Sequence, residues 1–273
     1  MEKQSIGLTG VANARELGGY VTSDGRRVKS ALLLRTGRLD KATEEDINRL
    51  ESVYRVGMVV DFRMSVEASG APDPAIRGAE IYNIGIINEA EITKRQKQKS
   101  IDMKAMYNDP LIFLKTALES KVVHPGMYID FLSGDAGKSG FSRFLRLVKD
   151  APMDRAVLWH CTSGKDRTGI AAMLLLTIFG VDEETIMYDF LLTNEFNRSR
   201  IERNREFLND GLEPSEKHLI PDMLVVLDGV NGSYLENAID YLKSEYGSII
   251  GYIKTELGIS EDDMEILRNK YLI

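Results

Sequence analysis

Residues 160–169 read HCTSGKDRTG and contain the only cysteine among 273 residues. Cys161 and Arg167 stand in a C-x5-R spacing, with Thr162, Ser163, Gly164, Lys165 and Asp166 between them. On a tight loop that spacing wraps a tetrahedral oxyanion. Loop N–H groups and a helix N-terminus suit a thiolate at Cys161, the form that attacks. The planar fork of Arg167 grips two phosphate oxygens at once, which a lysine does not do. Gly164 allows a backbone turn or close ligand approach that a side chain would obstruct. Thr168 is a candidate to donate its hydroxyl to the thiolate, and His160 to hold the cysteine backbone from behind without a proton-transfer role. A lone cysteine at a strand end is ordinarily a small inert core residue. The joint pattern of strand, H-C-x-x-G-K-x-R-T-G and apolar helix distinguishes this one.

The elements that must position these residues are legible on either side. AVLWHC reads as a buried strand running into the loop, and RTGIAAMLLLTIFG as a buried helix leaving it, an arrangement that aims several backbone N–H groups into one small cavity. Val56–Phe62 is a second buried strand that ends in charge at Asp61, and EIYNIGII a third. TSDGRRVKSALLLRT has a D-G turn between β-prone runs, so residues 20–36 predict a hairpin or strand pair. Asp40 and Thr43 are capping candidates for a helix through Ile47 and Leu50. Residues 88–150 read as mainly helical, broken at Pro110, His124-Pro125-Gly126 and SGDAGKSG, and the chain from Glu183 onward as mostly amphipathic helix. The alternation predicts an α/β sandwich around a modest, largely parallel sheet.

HCTSGKDRTG resembles the signature loop of the cysteine-dependent protein tyrosine phosphatase superfamily, specifically its atypical bacterial branch of tyrosine and lipid phosphatases, whose loops carry a Lys-Asp pair before the arginine. NARELGGY, VVDFRMSVE and YDFLLTNEF extend the resemblance over roughly residues 10–200. It implies a tyrosine phosphatase-like sandwich, a mostly parallel central sheet flanked by helices with a helical insertion at about 88–133, in one domain over 1–273. It also implies hydrolysis of phosphate monoesters through a phosphocysteine, with no metal and no cofactor. Cys161 would be the nucleophile and Arg167 the phosphate binder, with residues 162–166 completing the cradle. The branch suggests that Asp166 protonates the leaving oxygen and that Lys165 faces extra phosphates of an inositol lipid. Asp61 is the rival acid, with a salt bridge to Arg63 or to the loop arginine as its alternative role. The W-P-D acid loop of other members is absent, since Trp159 has no aspartate beside it. Arg15 is a candidate anion contact, and the 88–133 region a cover over the pocket, with Met103, Met106, Tyr107 and Phe113 either lining it or in ordinary core.

Expected substrates are phosphotyrosine proteins and phosphoinositides. Two rival readings are a silent phosphate-binding module, which intact Cys161, Asp166 and Arg167 oppose, and a loop-cysteine sulfur transferase or arsenate reductase, to which G-K-D-R-T-G and the single cysteine are foreign. Composition narrows the partners. Against 35 Lys+Arg stand 42 Asp+Glu, a net charge of −7, which offers no footprint for nucleic acid or an anionic membrane. The longest nearly apolar run, GIAAMLLLTIFGV, falls short of the ~20 residues a membrane span needs, and no secretory signal opens the chain, so a cytoplasmic location is expected, with signal-independent export open. SGDAGKSG lacks the first glycine of a nucleotide-binding loop, since Leu132 occupies that position. KRQKQK at 94–99 reads as a solvated helix face.

Overall fold

The computed structural model describes residues 4–87, 109–120 and 123–273. Its sheet comprises β1 (Arg15–Glu16), β2 (Leu33–Thr36), β3 (Val56–Asp61), β4 (Glu80–Asn83) and β5 (Ala156–His160), in the spatial order β1-β2-β5-β3-β4. β1 runs antiparallel to β2, and every other pairing is parallel. The central strands are apolar along their length because both of their faces are covered. Met58, Val60, Val157 and Trp159 face the larger core, while Val59, Ala156 and Leu158 face a smaller one with Leu34 and Leu50.

The helices are α1 (Glu44–Ser52), α2 (Ser65–Gly70), α3 (Pro110–Glu119), α4 (Met127–Ser133), α5 (Asp135–Asp150), α6 (Asp166–Phe179), α7 (Glu183–Phe196), α8 (Arg198–Gly211), α9 (Ile220–Leu227), α10 (Gly232–Tyr246), α11 (Ile249–Thr255) and α12 (Glu261–Tyr271). Thr43 caps α1 in a reciprocal box with Asp46, whereas the other capping candidate, Asp40, pairs with Arg38 at 2.6 Å. α6 is buried almost all round, as its unbroken apolar sequence demands. α4 and α5 pack against it from the larger core. Among the described residues no helix is long and apolar enough to cross a membrane.

Two turn signals act within narrow bounds. The D-G turn closes a short hairpin, with Thr22 N donating to Arg26 O and Val28 N to Tyr20 O, both at 2.9 Å, and Val21 bridging Arg27 antiparallel. Beyond it Ala31 takes a left-handed φ of 61°, and Leu33–Thr36 lies between β1 and β5. SGDAGKSG does not break the helical region beyond Gly134, because α5 begins at Asp135 and runs through AGKSG. Gly137 is there for contact: a Cβ on it would lie 1.6 Å from the Phe131 carbonyl oxygen of α4. Of the expected cover over 88–133, residues 88–108 and 121–122, with KRQKQK, Met103, Met106 and Tyr107, lie outside the described residues. In the described part, α3 packs through Leu114 on Leu208 and Met223, while Phe113 is 42 % exposed.

Candidate active site

Parallel register brings three strand ends level, pairing His160 with both Thr36 and Asp61. The loop from Cys161 to Asp166 leaves that edge and enters α6, so strand, loop and helix are joined without a spare residue. The loop is held by its carbonyls. His160 Nδ1 lies 3.2 Å from the Cys161 oxygen, Arg38 N donates to Thr162 O at 3.1 Å, and Gly169 N donates to Lys165 O at 2.8 Å. The carbonyl of Gly164 accepts from Asn13 Nδ2 at 2.8 Å and Arg35 Nη2 at 3.1 Å. With its carbonyls tied outward, the loop presents its N–H side as the face for an oxyanion. Gly164 has φ +66°, and a Cβ there would lie 2.3 Å from Thr36 O, so only glycine closes this turn.

Arg167 is buried and aimed by Glu67 of α2, a residue that sequence reasoning missed. Its Nη1 donates to Glu67 Oε2 at 2.8 Å and Nη2 to Glu67 Oε1 at 3.2 Å, with a further contact to Phe62 O at 3.3 Å. Thr162 Oγ1 donates to the same Oε1 at 2.6 Å. Burial alone would push the Glu67 carboxyl up, but the Arg167 hydrogen bonds and charge, with help from Thr162 and Met64 N, hold it down at about 2. Burial likewise opposes the Arg167 charge, yet the charges of Cys161, Glu67 and Asp166 outweigh it and raise the guanidinium above its ordinary value.

The two acid candidates sit in different surroundings. Asp61 is 2 % exposed and spent on Arg63, whose Nε and Nη2 both reach it at 2.9 Å. Arg63 also binds Asp73 at 2.9 Å, and Asp73 Oδ2 accepts from His160 Nε2 at the same separation, 2.9 Å. Asp61, Asp73 and His160 bring ligand-type atoms within 4.8 Å of one another, but Arg63 already supplies the cation this group needs. Asp166 is only half-buried at the start of α6, and its Oδ1 accepts from Tyr128 Oη at 2.6 Å. Thr162 and Ser163 are half-buried on the same loop.

Two expected roles change. Lys165 is 4 % exposed and its ammonium donates to Val225 O and to Gly229 O, so it anchors the end of α9 to the loop rather than offering a free cation to further phosphates. The Thr168 hydroxyl is buried with no hydrogen-bond partner among the described residues, the thiol of Cys161 included; the Thr168 carbonyl accepts from Trp159 Nε1 at 3.1 Å. Its position inside the first turn of α6 turns the side chain into packing.

Arg15 is fully buried and contacts protein, not solvent. Asp189 of α7 accepts from Arg15 Nε at 3.2 Å, Arg35 Nη1 at 2.5 Å and Tyr20 Oη at 3.0 Å. Burial would raise the Asp189 carboxyl, but the charges of Arg35 and Arg15 lower it. NARELGGY, LLLRT and YDFLLTNEF thus meet behind Gly164, through Asn13 and Arg35. Asp189 carried no signal except its membership of YDFLLTNEF, and Arg35 none beyond its place in a β-prone run.

A model of the tyrosine phosphatase family matches residues 6–273. A Cupriavidus necator protein, provisionally named a tyrosine-protein phosphatase, is 29 % identical over 271 residues, covering 99 % of this chain and 89 % of its own. The tyrosine-protein phosphatase of Nostoc commune is 34 % identical over 239 residues, 86 % of this chain and 72 % of that one. The triple specificity protein phosphatase PtpB of Mycobacterium tuberculosis is 31 % identical over 144 residues, 50 % of this chain and 51 % of that one.

Proposed function

Because this chain belongs to the tyrosine phosphatase family, we propose that it hydrolyses phosphotyrosine in protein substrates through a phosphocysteine on Cys161. The observation that carries this reading is the pairing of Cys161 with an Arg167 aimed by Glu67, on a loop whose carbonyls are tied outward. The Cys161 thiolate attacks phosphorus as the bond to the leaving oxygen breaks, and Asp166 gives that oxygen its proton. Loop N–H groups and Arg167 hold the equatorial oxygens, where charge gathers in the transition state. Water then attacks the phosphocysteine, gives a proton to the Asp166 carboxylate, and the S–P bond breaks to return thiolate and free phosphate.

Asp166 is favoured as the acid because Asp61 is chelated by Arg63 and faces the buried cluster. Phosphotyrosine is favoured over phosphoinositides because the residue that argued for a lipid headgroup, Lys165, is committed to Val225 and Gly229. The name of the mycobacterial relative is reason to assay more than one class of phosphorylated substrate. The test is phosphate release from phosphopeptides and phosphoinositides, with and without a chelator, by the wild type and Cys161→Ser. Expected are chelator-resistant turnover of phosphotyrosine, no turnover by Cys161→Ser, and retained vanadate binding. Turnover by Cys161→Ser near the wild-type rate ends the proposal. Asp166→Asn should slow poor leaving groups ~10²–10⁴-fold more than activated aryl phosphates. Asp61→Asn should slow both alike; the reverse pattern transfers the acid to Asp61.

A further inference from the structure

Tyr128 lies on α4, outside the catalytic loop, yet its hydroxyl donates to Asp166 Oδ1 at 2.6 Å. The side chain is completely buried. Phe190 and Tyr234 meet its ring edge-on, with centroids 5.8 and 6.2 Å away, and Phe131 stacks on it at 6.2 Å. A flat ring enclosed by three others in a close-packed core has no second rotamer within reach, so the place of its oxygen is set by α4, α7 and α10 together. Asp166 Oδ2, by contrast, has among the described residues only a distant charge, Lys165 Nζ at 3.7 Å.

We infer that Tyr128 is a positioning residue for proton transfer: its hydroxyl occupies Asp166 Oδ1, so that Oδ2 is the oxygen that carries the proton to the leaving group and later takes one from water. This rests on the reading of Asp166 as the acid. As the Oδ2–H bond breaks and the leaving oxygen gains the proton, negative charge appears on the carboxylate, and the Tyr128 O–H already points at it. A donor fixed in advance stabilises that charge without reorganising. Burial, reinforced by the neighbouring Asp166 charge, raises the Tyr128 hydroxyl well above its ordinary 10, so it remains a donor throughout the cycle. Among the described residues, Lys165 and Arg167 face Asp166 from its own loop and helix and Tyr234 faces it from α10, while Cys161 acts on Tyr128 and Arg167.

Packing alone would not make this contact depend on the leaving group. Tyr128→Phe removes one oxygen and leaves the ring in its box. The experiment compares kcat and KM for p-nitrophenyl phosphate, whose leaving group needs no proton, and for an alkyl phosphate, in wild type, Tyr128→Phe, Asp166→Asn and the double variant. Tyr234→Phe serves as the packing control, and vanadate affinity reports an intact loop. Expected is a loss of kcat on the alkyl substrate on the order of tenfold in Tyr128→Phe, with p-nitrophenyl phosphate and both KM values nearly unchanged. The double variant should be no slower than Asp166→Asn, and Tyr234→Phe should show no leaving-group dependence. Equal losses on both substrates, or losses that multiply in the double variant, overturn the inference while Asp166 stands as the acid. If Asp166→Asn itself lacks leaving-group dependence, the acid assignment and the inference fall together.

Discussion

In the proposed mechanism Arg167 binds the phosphate, and its pairing with Glu67 is what directs it. An arginine free to rotate would lose the fork geometry that lets it follow the phosphate into the transition state, and the two hydrogen bonds to Glu67 remove that freedom. Glu67→Gln keeps an acceptor but removes the charge. We expect kcat/KM for phosphotyrosine peptides to fall on the order of 10–100-fold. Phosphate or vanadate affinity should weaken in parallel; wild-type kinetics for Glu67→Gln would mean that Arg167 is aimed by something else. That Cys161, Asp166 and Arg167 stand together between a strand and a helix was legible in the sequence because their spacing is local. Glu67 was not, because it meets Arg167 across 100 residues and looks locally like one more carboxylate on a short helix.

At the scale of elements, the site depends on close approach between α4 and α5. α4 carries Tyr128, and it lies so near α5 that Gly137 has no room for a side chain over the Phe131 carbonyl. Gly137→Ala forces the two helices apart and is expected to cost about 3 kcal/mol or somewhat more, the upper range for overpacking. A lowered denaturant midpoint at pH 7 checks this, and an unchanged midpoint would show that α4 and α5 can separate freely. The sequence invites reading this whole stretch as a break, because three glycines and two serines in eight residues weaken a helix locally, yet the interruption is confined to Gly134. Tertiary contact outweighed propensity. Tertiary contact also places Leu33–Thr36, which lies beside the apolar run AVLWH as a buried parallel neighbour.

Across the whole molecule, buried charges lock the N-terminal segment, β2, the catalytic loop and α7 together, and this gives stability a defined acid edge. Glu67, Asp73 and Asp189 are all held below their ordinary carboxylate values by arginine or histidine partners that outweigh the opposing effect of burial. A depressed carboxylate contributes stability that is fully present above its unfolded value. For Glu67 that contribution is lost as pH falls from 4.5 towards about 2. We therefore expect a cooperative loss of near-UV circular dichroism within that window and a flat signal from pH 5 to 7. Asp189→Asn leaves Arg15 and Arg35 buried without their counter-charge, at a cost of about 3–5 kcal/mol, and should lower the thermal midpoint at pH 7 accordingly. A melting curve identical to wild type would remove Asp189 from the framework.

What the sequence determined by itself was the chemistry carried by contiguous residues and by periodic apolar runs: the C-x5-R loop between a buried strand and a buried helix, the parallel core strands, and the helical second half. These are local facts, since a loop of fixed spacing and a strand buried on both faces constrain their own residue types. Only the tertiary structure decided which side chains complete the loop. Lys165 turned to Val225 and Gly229, Thr168 turned into packing, Asp61 joined Arg63, and Glu67, Tyr128 and Asp189 arrived from distant elements. A buried charge takes whichever partner the fold brings within hydrogen-bonding distance, because leaving it unpaired costs more than any local preference can return.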